Sequence, residues 1–196
     1  KKGKIVAIKN IGGFHLCCNG ENKDSIDILR YRKRRPDKPF AIMVKNIKKV
    51  KEVCYVSDKE EEVLTSSKRP IVLLEKKSEF NLPDNISPRN NRVGVMLPYT
   101  PTHHLLFNES INYLVMTSAN VSKSPIQYKD EEAIEHLKGI ADYILLNNKD
   151  IDMPIDDTVV KVIDDEEIIL RIGRSYLPMK LNINSKEEIL SSGAER

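Results

Sequence analysis

Short aliphatic runs, punctuated by glycine, proline and polar turns, alternate along the whole chain with longer segments of mixed polarity. This interleaving constrains the fold more than any other feature. Brief Val- and Ile-rich runs suit strands, and apolar residues three and four apart suit helices. Strands are expected over residues 4–9, 40–44, 71–74, 93–97, 113–117, 143–146, 158–163 and 168–171, the last two as a hairpin around Asp164-Asp165-Glu166. Helices are expected over 24–35, 46–53, 58–66 and 130–138, with a short one from Pro98, Thr100 and Pro101 through Phe107. Asp24 or Ser25 is the expected cap of the first, and Pro36 its stop. The order is not strict βα alternation. The expected class is therefore α/β with α+β character: an open, twisted, mixed sheet with flanking helices.

Composition narrows the function classes. The 196 residues fit one domain with a real core. A net charge of +3 does not by itself imply nucleic acid, although local basic clusters can bind anions. Cys17, Cys18 and Cys54 form no C-x-x-C pair, which argues against zinc-finger and thioredoxin chemistry and suits a reducing, cytoplasmic setting. Cys17 and Cys18 should face opposite ways if their segment is extended. No apolar run reaches membrane-spanning length. The chain opens at Lys1 without a methionine, as an excised piece of a longer protein would. Ser185-Lys186-Glu187-Glu188 fits a capping box, so a short helix is expected there before Ser191-Ser192-Gly193.

Several clusters could carry chemistry. Arg30, Arg32, Lys33, Arg34, Arg35 and Lys38 put six cations into nine positions. They read as a solvated helix end, as a phosphate site built on forked Arg donors, or as an RNA-contacting patch. Thr117-Ser118-Ala119-Asn120 follows a strand directly, where α/β sheets place ligands, but these residues are also ordinary turn formers. Asp156 and Asp157 before Thr158 read as a turn or as a carboxylate pair for Mg²⁺. Gly12-Gly13-Phe14-His15 would allow close backbone approach to a ligand, with His15 as a base, a hydrogen-bonding partner or a structural residue. His103-His104 are neighbours that do not face one another on a helix, and they read as structural. Arg171 and Arg174 flank Gly173 and could clamp a triphosphate or lie on the surface.

Taken in order, these segments resemble one family. I-V-A-I-K-N-I-G-G-F-H-L from Ile5, L-R-Y-R-K-R-R-P-D-K-P-F-A-I-M from Leu29 and V-G-V-M-L-P-Y-T-P-T-H-H-L-L from Val93 resemble the YrdC-type domain of the hydrogenase-maturation carbamoyltransferases, the HypF family. V-M-T-S-A-N-V-S-K-S-P-I from Val115 and D-D-T-V-V from Asp156 extend the match, which covers about residues 3–180. I-L-S-S-G-A-E from Ile189 resembles the start of the Kae1-like domain that follows in those proteins. The implied division is an adenylating domain over 1–181 and a linker with the start of the next domain over 182–196.

The resemblance implies a YrdC/RibB-like fold with a concave basic face. It implies ATP and Mg²⁺ as cofactors, and a carbamoyl adenylate made from carbamate with loss of pyrophosphate. The carbamoyl group would become the cyanide ligand of a nickel–iron hydrogenase. Other domains of the same protein would supply carbamate from carbamoyl phosphate, and a maturation partner would offer an acceptor cysteine. By motif, Lys33 and Arg35 match the K-x-R-P element associated with the phosphates, Ser118 and Asn120 the S-x-N element, and Arg171 the arginine after the last strand. Thr117, Lys38, His15, Asp157, Thr158 and Arg174 are secondary candidates. Alanine at Lys33 or Arg35 should weaken ATP binding and leave the fold intact, as for surface charges.

Related threonylcarbamoyl-adenylate synthases of tRNA modification carry P-T-E-T-V-Y-G-L where Lys9 to Leu16 stand here, and an arginine where Met96 stands. Both differences favour carbamoyl chemistry. A double-stranded-RNA-binding module and an antibiotic O-carbamoyltransferase are the other readings. The chain departs from the family at Asn10, at Cys18-Asn19-Gly20, at Lys149 and in the compressed stretch Ile172 to Tyr176.

Overall fold

The computed structural model describes residues 3–108, 110–120 and 125–179. Among these, nine strands form one mixed sheet: β1 (Val6–Lys9), β2 (Phe14–Asn19), β3 (Ala41–Val44), β4 (Ile71–Glu75), β5 (Arg92–Met96), β6 (Tyr113–Ser118), β7 (Tyr143–Leu145), β8 (Val159–Ile163) and β9 (Glu166–Arg171). Their order is β7-β1-β2-β6-β3-β5-β4-β8-β9, open at both ends. Pairs β1–β7, β3–β5 and β4–β8 are parallel, and the remaining neighbours are antiparallel. The helices are α1 (Lys23–Lys33), α2 (Ile47–Val53), α3 (Asp58–Thr65), α4 (Pro101–Leu106) and α5 (Asp130–His136). The expected tail helix at Ser185 and the boundary at 181 lie outside the described residues.

Every expected strand and helix among the described residues is present with slightly shifted ends, and the mixed α/β class holds. Strand β2 was not expected. Its sequence, F-H-L-C-C-N, shows no polar alternation because both faces are covered. Cys18 enters the helix-side core and Cys17 the opposite cluster, as extended backbone requires. The β8–β9 hairpin turns on Asp164 and Asp165, both at positive φ, and Glu166 already pairs with Ile163.

The start and stop of α1 differ from expectation. Asn22, not Asp24 or Ser25, is the cap: its side chain accepts the Ser25 N–H at 2.9 Å. Asp24 instead sits in the first turn, where a carboxylate suits the helix dipole. The helix ends because Arg34 adopts a left-handed conformation (φ 51°) and its N–H turns back to the carbonyls of Arg30 and Tyr31. Pro36 lies beyond that stop.

The two faces of the sheet are covered unequally. Ile26 and Leu29 of α1, Val50 and Val53 of α2, Val63 and Leu64 of α3, and Ala133 of α5 pack with Leu16, Ile42, Val72, Val95 and Val115 of the strands into the main core. On the other face a smaller cluster of Ile8, Cys17, Met43, Met96, Leu114 and Met116 meets Tyr99, Leu106 and Phe107 around α4. The middle of that face stays open, and the cleft described below occupies it. Asn22→Ala should therefore destabilise the domain by about 1 kcal/mol, seen as a lower urea midpoint with an unchanged slope. An unchanged midpoint would show that α1 is held by packing alone.

Candidate functional site

One wall of the cleft begins at the end of α1. The basic cluster does not act as a unit there. Arg30 turns inward and donates to five carbonyls, those of Asn85, Ile86, Arg35, Pro36 and Lys38, at 2.7–3.2 Å. Its guanidinium lies over the Phe40 ring. The segment after α1 is thus wound around a buried cation. Arg32 reaches the Ile140 carbonyl and Asp142. Lys33, Arg35 and Lys38 line the cleft.

Lys33 is fully buried (0% exposed). Its Nζ donates to the carbonyls of Ser118 (2.7 Å) and Asn120 (2.6 Å) and to Asn120 Oδ1 (3.1 Å). Three oxygens thus match the three protons of an ammonium. Burial, followed by repulsion from Arg35 and Lys38, pushes the group down to about 7. It is no surface charge, which corrects the expectation that its loss would leave the fold untouched. The same ammonium sets the turn after β6. There Ser118 Oγ donates to Asn120 Oδ1, and the Ala119 N–H donates to the Phe14 carbonyl. Arg35 is half-buried over Phe40, donates to the carbonyls of Lys38 and Pro39, and comes within 3.5 Å of Thr117 Oγ1. Burial, and then Arg30 and Arg171, lower it to about 10.

The opposite wall is built around Asp157, which is only 6% exposed. Oδ1 accepts from Arg174 Nε (2.9 Å) and from the Tyr99 hydroxyl (3.1 Å), and Oδ2 lies 3.1 Å from His15 Nε2. Burial alone would raise this carboxyl. The hydrogen bond from His15 and the Arg174 charge hold it well below the usual carboxylate range. Tyr99, buried against the same carboxylate, is pushed well above its ordinary value. The Asn10 side-chain nitrogen donates to the Tyr99 oxygen and lies 3.3 Å from His15 Nδ1. Arg171 Nε and Nη2 take the Asp157 carbonyl while the side chain lines the cleft. Two close approaches draw these loops together: a Cβ on Gly12 would lie 2.3 Å from the Ile155 carbonyl, and one on Gly173 2.2 Å from the Asp156 carbonyl.

Between these walls lies a cleft of about 930 Å³, near the upper end of the usual range for small-molecule sites. Its floor is Ala41, Ile71, Leu73, Gly94, Met96, Met116 and Val159 of the open sheet face. His15, Lys33, Arg35, Lys38, Thr117, Ser118, Asn120, Asp156, Asp157 and Arg171, drawn from five separated stretches of sequence, all line it.

Three readings need correction. Thr158 is fully buried and spends its hydroxyl on the Arg174 carbonyl and the Gly173 N–H, away from the cleft. Arg174 is not a triphosphate clamp. It pairs with Asp157, donates to the carbonyls of Lys68 and Arg69 and to Ser175 Oγ, and stacks 3.6 Å from the Tyr99 ring centre. The Asp156–Asp157 pair does not fit Mg²⁺, because both Asp157 oxygens are already taken. Among the described residues no group of three or more His, Cys, Asp and Glu is placed to hold a metal. His103 is structural, as expected: it packs edge-on against Tyr99, and burial pushes it down to about 3. His104 is exposed. Sequence reasoning missed Asn10 and Tyr99. Neither sits in a motif whose chemistry announces a role.

Comparison with known proteins follows the same lines. The sequence profile of the family described as "Telomere recombination", whose namesakes are Sua5, YciO and YrdC, matches residues 1–173. The chain is 40% identical over 195 residues to the carbamoyltransferase HypF of Synechocystis, covering 98% of this chain and 25% of that protein. It is 27% identical over 176 residues to a putative threonylcarbamoyl-AMP synthase of Methanocaldococcus jannaschii, covering 87% and 80% respectively. Its fold is similar to a crystal structure of full-length HypF in a phosphate- and nucleotide-bound form. The TM-score is 0.87 at 50% identity, over 90% of this chain and 28% of that one. The chain therefore spans about a quarter of the length of the curated carbamoyltransferases it matches.

Two stability measurements test this geometry. Arg174→Met leaves Asp157 as a buried charge without its cation and should cost about 3–5 kcal/mol, whereas Arg171→Met, at the cleft edge, should cost far less. Equal losses would contradict the different roles given to these arginines. For Lys33, the folded value of about 7 lies below the ordinary 10.5. The unfolded chain binds more protons between those values, so this group makes stability rise as pH climbs from about 7 to 10.5. Lys33→Met should remove that rise from urea midpoints taken across the range. A variant with the same slope would place the titration elsewhere.

Proposed function

The chain belongs to the Sua5–YciO–YrdC family, and we propose that its cleft binds ATP and joins the α-phosphate to carbamate, releasing pyrophosphate and forming carbamoyl adenylate. The observation that carries this reading is the Ser118–Asn120 turn, held from beneath by a buried Lys33 and faced by Arg35, Lys38 and Arg171. In the reaction a carbamate oxygen attacks the α-phosphorus, and the electron pair of the broken bond leaves with pyrophosphate. Negative charge grows on the equatorial and leaving oxygens. Fixed cations stabilise that charge most effectively when water is excluded and nothing must reorganise. Lys33 spends its three donors on the turn, so it acts as a charge under the phosphates. Arg35 and Arg171 keep guanidinium edges for direct contact. No covalent nucleophile is required. Mg²⁺ would arrive on the nucleotide phosphates.

The acyl end favours a small substrate. The floor of the cleft includes Met96 and Met116, and Lys9 is spent on Asp130 and the Asn147 carbonyl. Little is left to bind the carboxylate of an amino acid. The greater identity to carbamoyltransferases than to the threonylcarbamoyl-AMP synthase supports the same choice. In a longer protein, neighbouring domains would supply carbamate from carbamoyl phosphate and take the adenylate. The carbamoyl group would pass to a maturation partner's cysteine and become the cyanide ligand of a nickel–iron hydrogenase in the cytoplasm. No helix among the described residues is long and apolar enough to cross a membrane.

The test is pyrophosphate release from ATP with Mg²⁺ and ammonium bicarbonate, which generates carbamate, with and without threonine. Release that needs ammonium and ignores threonine is expected. Release that needs threonine would move the chain to the tRNA-modifying branch. ATP-independent, salt-sensitive binding of double-stranded RNA without turnover would favour a binding module. Arg35→Ala should weaken ATP binding roughly 10- to 100-fold, the loss expected for a charge-assisted hydrogen bond of about 1.5–3 kcal/mol. Calorimetric titration giving the wild-type affinity would remove Arg35 from the phosphates.

A further inference from the structure

His15 lines the cleft, yet both of its ring nitrogens are already engaged by other side chains. The hydrogen-bond inventory around it closes in one way. Tyr99 has a single proton, and Asp157 Oδ1 takes it at 3.1 Å. The Tyr99 oxygen therefore accepts from Asn10, whose amide nitrogen also lies 3.3 Å from His15 Nδ1. An amide NH₂ donates to both, so Nδ1 must be an acceptor and carries no hydrogen. Nε2 then carries the proton and gives it to Asp157 Oδ2 at 3.1 Å. Placing a second proton on the ring would demand that Asn10 turn its oxygen inward. Tyr99 would then either lose Asp157 or face the new oxygen with no hydrogen between them. The charge of Asp157 is already met by Arg174; the other titratable groups around are His103, which interacts with the ring, and Lys33, Arg35, Lys38, Arg171 and Asp156 elsewhere in the cleft lining.

We propose that Asn10, Tyr99 and Asp157 lock His15 as the neutral Nε2–H tautomer, so that this wall of the cleft offers no acidic proton to its acyl substrate. The inference rests on the carbamate reading above and deepens it. Carbamate is destroyed by acid: a proton added at nitrogen lets the C–N bond break with its electrons going to nitrogen, giving ammonia and carbon dioxide. An imidazolium beside the substrate would be a ready source of that proton. The lock leaves no proton of the ring free for a substrate. Lys33, lowered to about 7, spends its three protons on the Ser118–Asn120 turn, and the other cations of the cleft are lysine and arginine, types that hold their protons more tightly than imidazolium in water. His15 is thus a positioning residue. It closes the cleft without taking part in the proton chemistry, and Asn10, outside the cleft lining, decides its state.

The test is a nitrogen-15 correlation spectrum of the imidazoles in the 196-residue chain across neutral pH, with the His15 signal assigned from its absence in His15→Gln. The expected result is a single Nε2–H tautomer at pH 7. A doubly protonated ring at pH 7, or the Nδ1–H tautomer, would overturn the proposal. Asn10→Asp supplies an acceptor where a donor stood and should bring a second proton onto His15. It should also raise the KM for carbamate about tenfold (about 1.4 kcal/mol) with little change in ATP affinity. Should that variant fail to fold, the wild-type spectrum still decides. A locked ring in a chain that shows no carbamate-dependent pyrophosphate release would sink the functional reading and leave the lock. A protonated ring in a chain that does turn over carbamate would do the reverse.

Discussion

A carboxylate removed from water has to be answered on every side, and Asp157 is answered from three separate parts of the chain. His15 comes from β2, Tyr99 from the segment before α4, and Arg174 from beyond β9, while Arg171 holds the aspartate's own carbonyl. Arg174 extends the tie to the carbonyls of Lys68 and Arg69, just ahead of β4. Such a cluster need not add net stability, because the desolvation cost of buried charges is comparable to their attraction. What it supplies is geometry. With one carboxylate satisfied by partners this distant in sequence, the loops at one end of β2, β8 and β9 can meet in only one arrangement. That arrangement forms one wall of the cleft.

The other wall follows the same logic with the sign reversed. Six cations near the end of α1 would repel one another if they shared one environment. The fold separates them. Arg30 is surrounded by carbonyl oxygens, Arg32 turns to Asp142, and Lys33 is placed under the Ser118–Asn120 turn. Only Arg35 and Lys38 of the cluster remain near the surface of the cleft, joined there by Arg171 from the far wall. Burying Lys33 is costly, as its lowered proton affinity shows. An anion above the turn would relieve that cost by restoring the preference for the charged form. A buried lysine held this way is better suited to a ligand that brings negative charge than to an empty site.

Much of this was legible in the sequence, for identifiable reasons. Strands with a Val- and Ile-rich run between turns were readable because burial on both faces leaves no polar residue inside them, as in V-G-V-M or Y-L-V-M. The same property hid β2, whose H-L-C-C lacks the β-branched residues that mark a strand. Lys33, Arg35, Ser118, Asn120 and Arg171, which all line the cleft, could be named as candidates because their types are chemically distinctive and their order resembles a known pattern. Their division of labour was not legible. Whether an arginine points into a cleft or into carbonyls depends on partners a hundred residues away, as for Arg174 and Lys68. Tyr99 was invisible for the same reason, and Asn10 stood out only as a departure from the family, since their roles exist only once His15 and Asp157 are in place.

The unequal covering of the sheet links these local facts to chemistry. Helices α1, α2, α3 and α5 close one face with a continuous apolar core. The other face receives only α4 and a small cluster, so side chains of β2, β3, β4, β5, β6 and β8 remain available to a ligand. A face left open in a single domain would ordinarily expose apolar surface to water. Here its floor is kept low by Ala41 and Gly94, where a Cβ on the glycine would press on Ile71 at 2.9 Å, and its rim is lined with cations. A cleft with an apolar floor and a cationic rim suits a molecule with a flat apolar part and a polyanionic part. A nucleoside triphosphate has both. The buried tie at Asp157 and the buried ammonium at Lys33 hold the two walls at fixed positions around it, so that little reorganisation remains when charge develops between them.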